Sequence, residues 1–439
     1  MKPVPRPKIL FVSYRFHPEV GGTETLIDEI TKRLANQGFD VVVACFTTRS
    51  GLPSEELAER VRIVRHFVRP KTPSWSAAFQ KVEWRFAGAI DKLITRKSAI
   101  GKVLGLLSQL FVLSHYVPCL SMSSSMWLLR VVMRERPGIV HVFDSKLACV
   151  IYPVAYLARL PVVVTFPGTA WVGSSRARCY DKLCYSLDYS WYLMHEDGTG
   201  AATIAGKVGV TRVSSFFSGV DPLLFDPWTV SRIESRRRFG ISQDSFVFGI
   251  LGRVERIKGV YEIVLSFLDT AEEKDVLLVG GPMDDERYYG EITRLTAGSK
   301  NGNLVKFVGP VERAKVPNFL AASDVMLSDR QFLNLAFAES LMMGRPVVAN
   351  ARGIGVLKKK LEFCSTVLLY DEARLELPNA LRRAKGSWRN ASDFSRCEAE
   401  LAREVFSWDA VMNKVLIAYR HTLPFLDWGV QRESGVPQC

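Results

Sequence analysis

Two cations stand out in GILGRVERIKGVYEIVLSF, residues 249 to 267, because a glycine adjoins each: Gly252 precedes Arg253, and Gly259 follows Lys258. A β-rich run delivers the arginine, a short loop follows, and the lysine opens a helical pattern. Two cations and a helix N-terminus converge there, an arrangement suited to a diphosphate. The plain alternative is a pair of solvated surface charges. The glycines argue against it, since glycine lets backbone close on a ligand. A second junction of this kind opens the chain. KILFVSYRF reads as a strand and is followed by HPEVGGTET, with Gly21 and Gly22 ahead of a helix that Thr23 is placed to cap. A lone Gly-Gly is more often a tight turn than an anion cradle, so this pair needs support from the rest of the chain.

The elements that must position these loops are legible as an alternation. KILFVSY, DVVVACF, RIVRHFV, GIVHVF and PVVVTF are short β-rich runs, and helical stretches such as ETLIDEITKRLANQG lie between several of them. After a turn-rich stretch the signature restarts with SFVFGILGR, DVLLVGGP, LVKFVGP, DVMLS and RPVVAN, interleaved with VPNFLAAS and LAFAESLMMG. This predicts an α/β protein of two doubly wound domains in series, which 439 residues accommodate. Both patterns lapse between FFSGVDPLLFDPW (216 to 228) and FGISQDSF (239 to 246), which marks the boundary.

Composition narrows the partners. Hydrophobic residues make up 48% and charged residues 23%, with no low-complexity tract, so the chain is a folded one. A net charge of +13 favours anionic partners: nucleic acid, an acidic membrane or phosphorylated small molecules. Nucleic acid is disfavoured, because no helix-turn-helix, RNP or zinc signature accompanies the charge. The eight cysteines carry neither a CxxC nor a zinc-site spacing, so no metal site and no disulfide framework is expected, and a reducing compartment fits best. The apolar stretch at the N-terminus is too short for a secretory signal, so export is not expected.

GRVERIKG resembles the GR…KG motif of the family-four retaining glycosyltransferases. PEVGGTE is similar to that family's N-terminal glycine loop, IVHVFD to its fourth-strand segment, and FFSGVDPLLFDP to its NGVD…F stretch between domains. LVKFVGPVERAKVPNFLAASDVMLS resembles the segment leading to the donor site, and FSWDAVMNKVLIAYR the closing helix. These five matches in the family's order, beside GRVERIKG, imply the GT-B fold, α/β with two Rossmann-like doubly wound domains facing an interdomain cleft. They imply residues 1–225 as an acceptor-binding domain, 226–405 as a nucleotide-sugar-binding domain and 406–439 as a C-terminal helix crossing back.

The activity implied is transfer of a sugar from a nucleotide-diphosphate donor, a UDP- or GDP-sugar, with retention of anomeric configuration. Arg253 and Lys258 take the roles of the cations that stabilise charge on the leaving diphosphate, where preorganised donors have most leverage. No metal and no cofactor is implied, because those cations replace a metal. Gly21, Gly22 and Gly252 are the implied donor-contacting glycines. In the family's E-x7-E signature the second acid is Glu339, which accepts hydrogen bonds from the donor's ribose. The first position is Gln331, and Asn334 stands where the family usually has glycine, next to Leu335. Glutamine bonds a sugar hydroxyl but carries no charge, so donor preference is open.

A second departure follows PVVVTF. The family has His-Gly there, and this chain reads Pro167-Gly168-Thr169, replacing a polar group near the transferred sugar with proline. His141 occupies a family-like place, where a core histidine and a sugar-proximal one are both open readings. These changes keep a second function in view, a nucleotide-sugar-binding homologue with weak turnover.

Residues 75–135 match no family motif. Lys81, Arg85, Lys92 and Arg96 stack on one helical stripe beside an apolar stripe of Val82, Phe86, Ile90, Leu93 and Ile100. The plain reading is a core helix with a wet basic face. A basic amphipathic helix also suits an anionic membrane surface, and the neighbouring apolar window is too interrupted to span a bilayer. The resulting expectation is a cytoplasmic enzyme, peripheral on the inner face of a membrane, with a lipid-linked or growing glycan acceptor.

Overall fold

The computed structural model describes residues 6–19, 22–68, 122–166, 184–185, 187–196, 209–328, 335–351, 366–388 and 396–424. The chain divides into two compact units. The first comprises Met1–His195, Ala201–Phe216 and Met412–Cys439, the second Glu196–Gly200 and Phe217–Val411.

In the first unit the described elements run β1 (Ile9–Ser13), α1 (Gly22–Asn36), β2 (Val41–Thr47), β3 (Glu55–Ala58), β4 (Val61–Phe67), α2 (Met122–Glu135), β5 (Ile139–Phe143), α3 (Ser145–Leu157), β6 (Val162–Phe166), β7 (Trp191–His195) and β8 (Val213–Phe216). The sheet order is β3-β4-β2-β1-β5-β6-β7-β8, parallel apart from the β3/β4 pair. β1, β2, β5 and β6 are continuous runs rich in β-branched and aromatic residues, and they are buried from end to end. Such runs are what a parallel sheet covered on both faces demands. β3 is the opposite case, a short charged edge strand exposed along most of its length.

The second unit contains α4 (Arg232–Arg238), β9 (Phe246–Leu251), α5 (Val260–Thr270), β10 (Asp275–Gly280), α6 (Glu286–Ala297), β11 (Val305–Gly309), α7 (Val316–Ala322), β12 (Val325–Ser328), α8 (Leu335–Met342), β13 (Val347–Asn350), β14 (Val367–Tyr370), α9 (Ala373–Trp388) and α10 (Arg396–Phe406). Its six strands lie in the order β11-β10-β9-β12-β13-β14, all parallel. One apolar layer packs on each face. Phe319, Leu320, Phe337 and Leu341 belong to one, and Val264, Phe267, Ile292 and Leu381 to the other.

The last helix, α11 (Trp408–Thr422), has its first four residues in the second unit and the remainder in the first. Ten strand runs legible in the sequence are strands here. β3, β7, β8 and β14 were not legible; three of them are only four residues long and β7 only five. Thr23 does not cap α1, because the helix already includes Gly22 and Thr23 falls in its first turn. No described helix is long and apolar enough to cross a membrane.

Candidate functional site

In a doubly wound sheet ligands bind beyond the carboxyl ends of the strands. In the second unit the ends of β9, β10 and β11 are stitched together by backbone: Gly252 donates to the Gly280 carbonyl at 2.9 Å, and Gly281 to the Gly309 carbonyl at 2.7 Å. Gly252 and Gly281 have φ of 144° and 147°, which side chains disfavour. A Cβ on Gly281 would stand 1.9 Å from the Gly252 carbonyl oxygen. Close packing of two strand ends therefore requires the second glycine of LLVGGP.

Beyond Gly252 the chain turns outward. Arg253 has a side chain 66% exposed, with Glu255 at 3.9 Å as its ion-pair partner. Val254 is buried and its amide donates to the Pro282 carbonyl at 2.8 Å, which pins the loop to the end of β10. A 3-10 turn, Arg256–Lys258, then leads to Gly259 in the left-handed conformation and into α5. Lys258 thus stands at a helix N-terminus, where the macrodipole favours an anion, although the Tyr261 amide of its first turn already donates to the Tyr288 hydroxyl at 2.9 Å.

These elements border a pocket of about 450 Å³ lined by Leu251, Gly252, Lys258, Gly281, Pro282, Pro310, Val311, Arg313, Val316, Leu335, Ala336 and Glu339. Gly252, Lys258, Leu335 and Glu339, drawn from two separate stretches of sequence, are brought together here. Glu339 is 2% exposed. Burial pushes its carboxyl above the ordinary carboxylate value, and the Arg313 guanidinium, paired with it, pulls the other way. The Arg313 guanidinium also lies 4.6 Å over the Phe225 ring.

Arg313 and Gly281 are site residues that the sequence reading missed. The available signal was the repetition of Gly-Pro at the ends of two successive strands, LLVGGP and FVGP, with Arg313 shortly after the second. A larger hollow of about 690 Å³, beside Arg256, Tyr288 and Glu291, involves none of the predicted site residues, and its Arg256 is paired with Glu291 at 2.5 Å.

Of the remaining predicted residues, Gly21, Gln331, Asn334, Pro167, Gly168 and Thr169 lie outside the described residues, as do Lys81, Arg85, Lys92 and Arg96. Gly22 opens α1 directly after the loop that follows β1. His141 has no exposed surface. Its Nδ1 is 2.6 Å from the Tyr419 hydroxyl and its Nε2 2.7 Å from the Thr165 hydroxyl. Of its two open readings, this burial favours the core histidine over the sugar-proximal one.

The family described as Glycosyl transferases group 1 matches residues 245–372, and the Glycosyl transferase 4-like domain matches residues 21–190. The D-inositol 3-phosphate glycosyltransferase of Thermobifida fusca is 28% identical over 225 residues, covering 48% of this chain and 50% of that protein. The corresponding protein 1 of Catenulispora acidiphila is 28% identical over 230 residues, 48% of this chain and 52% of its own length. The chain spans about half the length of these curated relatives. Among solved structures, Anabaena HepE in complex with UDP and glucose superposes with a TM-score of 0.64 at 15% identity, covering 94% of this chain and 99% of that one. Sucrose-phosphate synthase from Thermosynechococcus elongatus gives 0.65 at 17% identity, covering 95% and 99%. These two likenesses concern the fold. With both family matches in chain order and a glycine-rich, cationic pocket at the strand ends of the second unit, the chain belongs to the family-four, group 1 glycosyltransferases of the GT-B fold.

Proposed function

We propose that this chain transfers a sugar from a UDP- or GDP-sugar to a lipid-linked or growing glycan acceptor, with retention of anomeric configuration. The observation that carries the reading is the convergence of Gly252, Lys258 and Glu339 on one pocket at the strand ends of the second unit. The donor's diphosphate meets Lys258, Arg253 and the N-terminus of α5, and its ribose hydroxyls donate to the Glu339 carboxylate. Positive charge aimed at the leaving diphosphate grows in value as the sugar departs, because the bond cleavage concentrates negative charge there. Protein cations do this work in the reading, so it assigns no metal to the site.

The relatives whose name includes D-inositol 3-phosphate, and the HepE structure holding UDP and glucose, support a nucleotide-sugar donor and a polar acceptor. The basic stripe Lys81, Arg85, Lys92 and Arg96 supports an acceptor met at the cytoplasmic face of an anionic membrane. Gln331 and Pro167 favour a second reading, a nucleotide-sugar-binding homologue with weak turnover. One assay separates the two. Purified protein is incubated with UDP- and GDP-sugars, with and without lipid-linked acceptors, and nucleoside diphosphate release is followed. Acceptor-dependent release is expected. Binding of the nucleotide without release under any acceptor would select the second reading.

A further inference from the structure

The family resemblance supplies Glu339 with a role and no partner. In the structure the partner is Arg313, which reaches the carboxylate from the 3-10 turn Arg313–Lys315 after β11. The guanidinium lies 4.6 Å over the ring of Phe225, and that ring is fully buried. An aromatic floor thus sets the plane from which the arginine pairs, which a solvated surface ion pair does not have. Phe225 belongs to the stretch GVDPLLFDP, which therefore reaches the donor pocket through Arg313.

The two partners differ in exposure: the Arg313 side chain is 49% exposed and that of Glu339 only 3%. The carboxylate is fixed in the wall, and both groups line the pocket that also holds Gly252 and Lys258. We propose that Arg313 is a positioning residue of the donor site, holding the Glu339 carboxylate as the acceptor of the donor's ribose hydroxyls and contributing to nucleotide affinity through Glu339. This rests on the donor-site reading of the pocket.

The chemistry is one of acceptors. An ionised carboxylate only accepts hydrogen bonds, whereas a protonated one presents a hydroxyl that competes for the same positions. Burial favours the protonated form of Glu339, and the pairing with Arg313 opposes it. Among the described residues, Lys258 is the other charged group lining the pocket. β12, β13 and α7 contain no charged residue, and α10, which packs against α8, buries Ala402 and Phe406 in the shared core. Removal of Arg313 therefore lets the Glu339 carboxyl protonate at higher pH.

The test is isothermal titration calorimetry with UDP and with GDP from pH 5.5 to 8.5. It compares wild type, Arg313→Met, Arg313→Lys, Glu339→Gln and the Arg313→Met/Glu339→Gln double variant. Reading each affinity against wild type at the same pH cancels the titration of the nucleotide's own phosphate. Arg313→Met should bind about tenfold more weakly at pH 6, the scale of losing one hydrogen bond to a charged acceptor, and should recover as pH rises and Glu339 ionises. Arg313→Lys should keep the wild-type pH profile. The double variant should bind no more weakly than Glu339→Gln, since the arginine acts through the carboxylate. Arg313→Gln, which keeps a planar uncharged head over Phe225, gives the same readout should Arg313→Met not fold.

An Arg313→Met protein with the wild-type affinity at every pH would overturn the proposal. So would a loss that is equal at every pH and adds to that of Glu339→Gln, because the arginine would then touch the nucleotide directly. Absence of UDP and GDP binding by the wild type is a distinct result, which removes the donor-site reading and this proposal with it.

Discussion

The Nδ1 atom of His141 lies 2.6 Å from the hydroxyl oxygen of Tyr419, joining β5 to the last helix across 278 positions of chain. Thr165 occupies the other ring nitrogen at 2.7 Å. The imidazole packs against the rings of Phe11 and Phe143, with centroids at 4.9 and 4.8 Å, and meets Tyr419 edge-on. A neutral histidine satisfies both hydroxyls at once, one ring nitrogen donating and the other accepting. Its part is to hold the C-terminal helix to the sheet of the first unit.

That arrangement predicts a pH dependence of stability. Burial brings the His141 ring down from 6.5 to about 3, so the folded protein refuses a proton that the unfolded chain accepts. Its stabilising effect is complete above pH 6.5 and is lost as pH falls toward 3. Between pH 7 and pH 5 the loss should be about 2 kcal/mol, from about 1.4 kcal/mol per pH unit below the unfolded value. Urea unfolding of wild type and His141→Gln at the two pH values checks this, and an equal pH dependence in both proteins would contradict a buried neutral ring. Tyr419→Phe, which leaves one ring nitrogen unpaired, should cost about 1 to 3 kcal/mol at pH 7.

A second prediction concerns two glycines of the second unit. Gly281→Ala drives a methyl to 1.9 Å from the Gly252 carbonyl oxygen at a φ of 147°. The substitution should cost about 3 kcal/mol or more, the scale of strained backbone and overpacking combined, and it should weaken nucleotide binding by displacing the Gly252–Arg253 loop. Gly290→Ala is the control. It lies within α6 with nothing near its missing Cβ, so alanine should stabilise by about 0.5 to 1 kcal/mol. Two destabilised variants of equal magnitude would mean that the tight contact at the strand ends is not there.

How much of this pocket was legible follows from how the contacts are spaced along the chain. The loop from Gly252 to Gly259 reads directly, because its glycines, cations and helix start are contiguous. Glu339 reads through a family spacing. Arg313 does not, since its partner lies 26 positions away and its aromatic floor lies earlier in the chain, so only the folded sheet brings Phe225, Arg313 and Glu339 together. His141 was ambiguous for the same reason: the hydroxyl that makes it a core residue arrives from the far end of the sequence. Nothing local in DVLLVGGP sets Gly281 apart, and its need for glycine comes from the Gly252 carbonyl of the neighbouring strand end.

Arg253 and Lys258 test the transfer chemistry itself. If both stabilise the departing diphosphate, Arg253→Ala and Lys258→Ala should each lower turnover by about two to three orders of magnitude, the range for removing one preorganised transition-state donor. The fold should survive the first change, since the arginine side chain is 66% exposed and paired only at 3.9 Å. Nucleoside diphosphate release at saturating donor is the measurement, with thermal unfolding as the control for folding. Unchanged turnover in a folded double variant would remove these cations from the mechanism.

The last prediction concerns the stripe of Lys81, Arg85, Lys92 and Arg96, whose spacing places four cations on one side of a helical pattern beside Phe86, Ile90 and Leu93. Near an anionic bilayer each cation contributes about 1 kcal/mol, and the effect decays within a Debye length. Reversal of all four to glutamate should therefore abolish sedimentation with anionic vesicles at low salt, and high salt should weaken the wild type in the same direction. The apolar neighbours act through buried area, which salt does not screen, so Phe86→Ser with Leu93→Ser should reduce binding at every salt concentration. Neutral vesicles supply the contrast, since they remove the Coulomb attraction and leave the apolar one. Equal sedimentation of the wild type and the four-fold variant with anionic vesicles, or none by either, would make the stripe the wet face of a helix with no membrane to meet.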